Sequence, residues 1–565
     1  MTGASPASTR LAELGEEYFR VKHTYDPFNA SLLGLTEFDG LVWSPTVEVS
    51  SAAETSFAGL GREVADLDAD GLTADEAVDR QVLAALLRGA ENDARHSLWA
   101  ANLSGAGYVS PQGTLIEALA ATTVSDESGA ERYLARLAGL PTFARELGER
   151  YRHEIGSGRT PTAVGVRHAL SQLRHECSSS ADSTLMRPVS GPDGGPWRDR
   201  ATALTEEALA AFARLADLLE DEPAAVARPD DRVGVCFLPD GEAAYADLLA
   251  QHTTTSRTPQ EIHDAGLEFL EELGHAWAEV GQQVMGLTDQ QAIAERLRSD
   301  PSLRFESRQE VVATVSGALQ RAMDALPRYF PADVAVGPCD IVELTAEEAA
   351  NTALAYYRPP AVDGSRNGAQ CIASSDPETR YRYEYEALSF HESVPGHHLQ
   401  LATTQQLAIP RYRRYLDAEV CGFNEGWGLY TEQLADELGL YSDDYARLGM
   451  LSFQALRACR MVVDTGMHAF GWDRQRAADF MWAHTATTRE NVENEIDRYI
   501  CWPGQACAYG VGKREMQRMR ARAEAALGPA FDLPGFHWAL IRNGAIPLSV
   551  ADAATLAWQE GVRSA

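Results

Sequence analysis

LSFHESVPGHHLQ, residues Leu388 to Gln400, is the stretch on which the reading of this chain turns. It sets His391, Glu392, His397 and His398 within eight residues, and it holds three of the fourteen histidines. Its opening follows H-E-x-x-H, in which two histidines one helical turn apart bind zinc and the glutamate acts as general base. The fourth position after His391 is Pro395 rather than histidine. Without Pro395 and Gly396 the remainder reads HESVH, so the stretch reads as an H-E-x-x-H helix carrying a Pro-Gly insertion.

An unbroken helix does not suit that set. With ~1.5 Å rise per residue, His397 falls ~9 Å along the axis from His391, and His398 ~10.5 Å. Zinc–nitrogen bonds of ~2.0–2.1 Å require ring nitrogens only a few Å apart. Pro395 has no N–H for the carbonyl of His391, and Gly396 tolerates the backbone angles of a bulge. Such a bulge would return His397 to the metal. The alternative is a helix that ends at Pro-Gly with surface histidines beyond it.

Two histidines need a third ligand and an open position. Downstream, FNEGWGLYTEQLADEL places Glu425 and Glu432 on a predicted helix. Glu425 follows His397 by 28 residues, enough for the chain to turn and pack a second helix against the first. Phe423 and Trp427 beside it favour a ligand over a solvated glutamate. Glu432, two turns on, shares the face but is expected at the surface. Gly426 and Gly428 each cost a helix ~1 kcal/mol relative to alanine, which makes sense where that backbone meets another element closely.

The 565 residues suffice for two or more domains, and 45% hydrophobic with 23% charged residues is the composition of a globular protein. A net charge of −33 argues against nucleic acid or an anionic membrane as partner. Only Lys22 and Lys513 are lysines. The eight cysteines are scattered without a CxxC pair, which predicts reduced thiols in a cytoplasmic protein. No signal peptide is visible, and no 18-residue apolar run predicts a membrane span. No G-x-S-x-G elbow supports serine catalysis.

Apolar periodicity predicts helices over 8–21, 74–98, 111–121, 129–155, 160–176 and 199–221. Further helices are predicted over 241–250, 258–285, 289–299 and 307–325, from 379 into the motif, and then over 423–438, 443–470, 474–486, 489–500 and 505–525. The tail reads as loop with one late helix. Thr36–Ser51 reads as loop, and so does Ser178–Trp197, as a domain boundary or a long insertion. Strands are predicted at Arg232–Leu238, within 333–344 and at Gln370–Ala373. The fold class is mainly α with a small β-sheet.

Several motifs together carry a family resemblance: HESVPGHHLQ (391–400), EGWGLYTEQLADELGLY (425–441), VVDTGMHAFGW (462–472) and DRYICWPGQACAYGVG (497–512). Fainter echoes lie at 245–270 and 356–368. On these the chain resembles the DUF885 family of zincin-like metallohydrolases. The likeness runs from about 240 to 525. It implies a zincin-like helical fold with a deep cleft, divided into a helical region 1–230 and a catalytic region 231–565, or one continuous domain. It implies one Zn2+ on His391, His397 and Glu425, with Glu392 as base for a water attacking a carbonyl. The position of His398 can be tyrosine in the family, which favours His397 as the ligand and leaves His398 to bind substrate. The family pattern after Gly368 is an aromatic strand, G-x-F-Y-x-N, whereas this chain has GAQCIAS. That departure points to a specialised small-molecule substrate as the alternative to a peptide.

An oxyanion needs a donor. Tyr509 is the first candidate and His468 the second, each with a core role as its alternative. Arg498 suits a substrate carboxylate through its planar fork, or pairs with Asp497 or Glu495. Asp464 orients a ligating histidine or caps locally.

Overall fold

Capping and periodicity account for most of the helices in the computed structural model, which describes residues 5–178, 183–190, 195–345, 354–361, 364 and 366–564. Thr73 and Thr258 each close a reciprocal capping box with a glutamate three residues on, and these boxes open the helices Ala74–His96 and Pro259–Met285. Ser110, with Pro111 behind it, opens Pro111–Ala121, the helix expected there. The architecture is mainly helical with one three-stranded sheet.

The chain divides into two units. The first comprises Met1–Leu248 with Met467–Gln475 and Glu495–Pro503; the second comprises Leu249–Gly466, Arg476–Asn494 and Gly504–Ala565. The first unit runs past residue 230 and takes in two downstream segments. The described parts of Ser178–Trp197 lie inside that unit, so this loop is not its boundary; 179–182 and 191–194 are outside the described residues.

In the first unit the long helices Glu127–Gly156 and Gly195–Asp221 pack around a core that includes Tyr133, Leu137, Phe143, Phe212 and Leu215. Arg136 is fully buried in it, and its guanidinium donates to the carbonyls of Leu41 (3.0 Å) and Phe38 (2.8 Å) and to Ser31 Oγ (2.9 Å). Two readings fail here, one of a loop and one of a strand. A helix, Val47–Ala65, begins inside the expected Thr36–Ser51 loop, capped by Thr46. Arg232–Leu238 is not a strand but holds a 3-10 turn, Val235–Phe237. Its carbonyls at Arg232, Val233 and Gly234 accept from Arg228 Nη1 at 3.0, 3.2 and 2.5 Å. The Val235 N–H donates to His468 Nδ1 (3.2 Å). Side chains satisfy this backbone, so no strand partner is required.

In the second unit the strands β1 (Cys339–Glu343), β2 (Ala355–Arg358) and β3 (Gly368–Ile372) form a sheet in the order β1-β3-β2. β3 runs parallel to β1, from Cys339 opposite Gly368, and antiparallel to β2, from Ala355 opposite Ile372. All five residues of β3 are buried, which is why it shows no polar–apolar alternation. β2 was not expected; residues 362, 363 and 365 of the loop after it are outside the described set. The tail holds two helices rather than one, Leu533–Ile541 and Leu548–Ser564.

Candidate metal centre

The helix Arg382–Glu392 is buried from Tyr383 to His391, and it ends at Glu392 because Ser393 leaves helical geometry (φ −101, ψ −118). The Val394–Pro395 peptide is cis. Gly396 then passes so close over the helix end that a Cβ would lie 1.8 Å from the His391 carbonyl oxygen. The N–H of His398 donates back to Ser393 O (3.0 Å), and a π-turn, His398–Ala402, resumes the helix. The Pro-Gly insertion thus makes one wide turn. It returns the His397 ring to 4.7 Å from that of His391, at 87°.

The second helix, Cys421–Glu437, is fastened to this turn. Trp427 Nε1–H donates to the carbonyls of Pro395 (2.9 Å) and Gly396 (3.2 Å), and Thr431 Oγ1 donates to Phe390 O (3.3 Å). Glu425, Gly428 and Glu432, at i, i+3 and i+7, form one stripe. The His391 ring lies against the gap at Gly428, where a Cβ would come within 2.7 Å of Nε2. Gly426 meets the backbone of Gly512 on the helix Ala508–Leu527, the close approach that its sequence position suggested.

Among the described residues, ligand atoms of His391, His397 and Glu425 all lie within 4.8 Å of one another. Glu425 Oε2 is 3.4 Å from His391 Nε2 and 3.6 Å from His397 Nε2. Tetrahedral zinc with bonds of ~2.0–2.2 Å sets its ligand atoms about 3.3–3.6 Å apart, so the donor set fits the ion. Its mixed imidazole and carboxylate chemistry also accepts Mn, Fe or Co.

Glu432, expected at the surface, is only 1% exposed. Its Oε1 accepts from His391 Nδ1 (2.8 Å) and its Oε2 from Gln454 Nε2 (3.1 Å). Lys513 Nζ donates in turn to Gln454 Oε1. The seven-residue spacing from Glu425 was the signal for this place. A carboxylate behind a ligating imidazole fixes the tautomer that leaves Nε2 free. Burial alone would lower His391, but its bonds to Glu425 and Glu432 raise it to about 9. Burial would raise Glu425, but the two histidines hold it well below the carboxylate range. Burial pushes Glu392, the half-buried neighbour of His391, upward.

The other expected residues are placed as follows. His398 has both ring nitrogens engaged, Nε2 with Gly337 O (2.8 Å) and Nδ1 with Tyr357 Oη (3.1 Å), which leaves none for substrate. His468 lies in the first unit, and its Nε2 donates to Tyr499 O (3.0 Å) while Nδ1 accepts from Val235. Burial lowers it to about 4, and with both nitrogens engaged this neutral histidine has no N–H left for an oxyanion. Arg498, also in the first unit, pairs with Glu495 at 3.2 Å, the alternative weighed for it. Asp464 accepts the Gly504 N–H (3.0 Å), 40 residues further along the chain, rather than capping locally. Tyr509 is half-buried, with the guanidinium of Arg460 4.3 Å from its ring centre and that of Arg457 5.9 Å. Arg457 Nη2 stands 3.8 Å from Glu432 Oε1.

Two solved structures are similar to the chain in fold. "The putative lipoprotein from Colwellia psychrerythraea" aligns with a TM-score of 0.90 at 24% identity, covering 99% of this chain and 100% of that one. "A putative lipoprotein of unknown function from Shewanella oneidensis" aligns with a TM-score of 0.74 at 17% identity, covering 97% and 99%. No curated protein matches the sequence. A family model described as "Bacterial protein of unknown function (DUF885)" matches residues 27–554. With nearly its whole length matched, motif stretch and supporting helices included, the chain belongs to the DUF885 family.

Proposed function

We propose that this chain is a zinc-dependent hydrolase of amide bonds with a zincin-like helical fold and a deep substrate cleft. One observation carries the reading: His391, His397 and Glu425 converge at zinc-ligand spacing, with Glu432 behind His391 and Glu392 next to it in sequence. Zinc, when bound there, supplies a Lewis acid for the scissile carbonyl and acidifies water. The protein's own groups do the rest. Glu392 accepts the proton of the attacking water and passes it to the leaving nitrogen, and its upward shift by burial suits both transfers. Glu432 holds the His391 proton on Nδ1. Tyr509 donates to the oxyanion.

The substrate is a peptide or a small-molecule amide. The second reading, a specialised small molecule, is favoured by β3, where Gln370 accepts from Ser389 of the motif helix (3.1 Å) in place of an aromatic side chain. None of the eight cysteines is joined in a disulfide, which supports the cytoplasm as the compartment. The lipoprotein descriptions belong to the two similar structures and carry no membrane anchor over to this chain. Among the described residues no helix is long and apolar enough to cross a membrane.

Elemental mass spectrometry of the purified protein, beside His397→Ala and His398→Ala, tests the centre. The expected result is about one zinc per chain, lost in His397→Ala and kept in His398→Ala. No metal after zinc reconstitution overturns the proposal. Glu392→Gln should keep the zinc and lose amide hydrolysis; full activity in that variant overturns the assigned base.

A further inference from the structure

Arg457 keeps a guanidinium donor that no acceptor among the described residues takes up. It is 6% exposed, and its Nε is buried without an acceptor. The Glu432 oxygen, 3.8 Å from Nη2, lies beyond hydrogen-bond range, and both oxygens of Glu432 already serve His391 and Gln454. The carboxylates of Glu392 and Glu384 also feel the charge of Arg457. Nε has no bond to either.

Aromatic rings hold the group in place. The Phe453 ring centre is 4.9 Å from the guanidinium carbon and that of Tyr509 5.9 Å. Rings against a guanidinium face leave its N–H edge for a planar acceptor. Gln454, three residues earlier on the same helix, serves Glu432, so Arg457 stands within one helical turn of the support of the metal centre. A buried charged donor without an acceptor is costly, and a carboxylate of two parallel oxygens is its natural complement.

We propose that Arg457 binds a carboxylate of the substrate, which makes the substrate class peptides or acyl-amino acids with a free carboxylate adjoining the scissile amide bond. This rests on the amide-hydrolase reading. It also moves carboxylate recognition, expected at Arg498, to Arg457.

The test uses zinc-loaded full-length protein and a mixed set of N-acetyl dipeptides, each as free acid and as C-terminal amide, with cleavage read by mass spectrometry. Wild type should favour the acids, and Arg457→Met should cut kcat/KM for them roughly 10- to 100-fold while leaving the amides and the zinc content unchanged. Arg457→Lys, which keeps the charge without the fork, should fall between. Equal loss on acids and amides, or no preference in wild type, overturns the proposal and leaves the hydrolase standing. If wild type cleaves none of them, the hydrolase reading falls, and binding of the same peptides to the zinc-loaded protein by calorimetry decides the carboxylate site. Tighter binding of acids, lost in Arg457→Met, upholds it; equal or no binding overturns it.

Discussion

Replacing Glu432 with glutamine separates the charge behind His391 from the shape of the site. Glutamine fills the same volume, and its carbonyl oxygen can still accept from His391 Nδ1. The carboxylate it replaces is 1% exposed and bonded at 2.8 Å, so solvent neither screens nor replaces it. Loss of such a partner behind a ligating histidine weakens metal binding about 10- to 100-fold, or about 1.4–2.8 kcal/mol. The loss should depend on pH. In the metal-free protein a proton on His391, held up to about 9, competes with zinc. Removing the Glu432 charge also weakens that proton, which offsets part of the loss near neutral pH. Near pH 9 the offset disappears, and the full deficit emerges. The assay is competition for zinc against a chromophoric chelator at the two pH values, with circular dichroism to confirm the fold. A folded Glu432→Gln protein whose zinc affinity stays within about twofold of wild type at both values refutes the argument.

Two other perturbations reach the same helices from different sides. Gly428→Ala improves helix propensity by about 1 kcal/mol, yet places a methyl 2.7 Å from His391 Cε1 and Nε2; zinc affinity should fall with the helix intact, and wild-type affinity would show that the ring does not need the gap. Burial lowers Lys513 from 10.5 to about 7, so between these values the unfolded chain binds a proton that the folded chain lacks. Wild-type stability should rise with pH across that interval, and Lys513→Met should flatten the rise in urea unfolding; parallel pH slopes for the two proteins would overturn it.

Helices whose ends carry local signals were legible, Pro111–Ala121 and Pro259–Met285 among them, because the cap and the apolar stripe lie in one short window. RVGVCFL has strand composition, but its backbone partners are Arg228 and His468, the latter more than 200 residues away, and no local pattern announces them. The site divides in the same way. The convergence of His391, His397 and Glu425 was legible because the proposed ligand chemistry restricts residue type and spacing. Glu432 was legible only as a position on the same face, since a glutamate on a helix is by default solvated. His398 was drawn into the site by adjacency, yet the π-turn carries it to Gly337 and Tyr357.

The Pro-Gly insertion and the glycine-tryptophan helix make sense only together. Inserting two residues into an H-E-x-x-H helix would ordinarily carry the second histidine ~3 Å further along the axis and out of reach of the first. The turn at Ser393–Gly396 cancels that displacement, but it leaves the Pro395 carbonyl in need of a donor in the interior, while that of Gly396 also accepts the Gln400 N–H (3.2 Å). Trp427 supplies one indole N–H to both. The next residue, Gly428, leaves the space that the His391 ring occupies, and the glutamates on either side meet that ring at its two nitrogens. EGWGLYTE is therefore the complement of HESVPGH: its indole satisfies the backbone that the insertion opens, its glycine admits the His391 ring, and its glutamates meet that ring at both nitrogens and the His397 ring at Nε2. The departure from H-E-x-x-H in the first helix is thus compensated on the second.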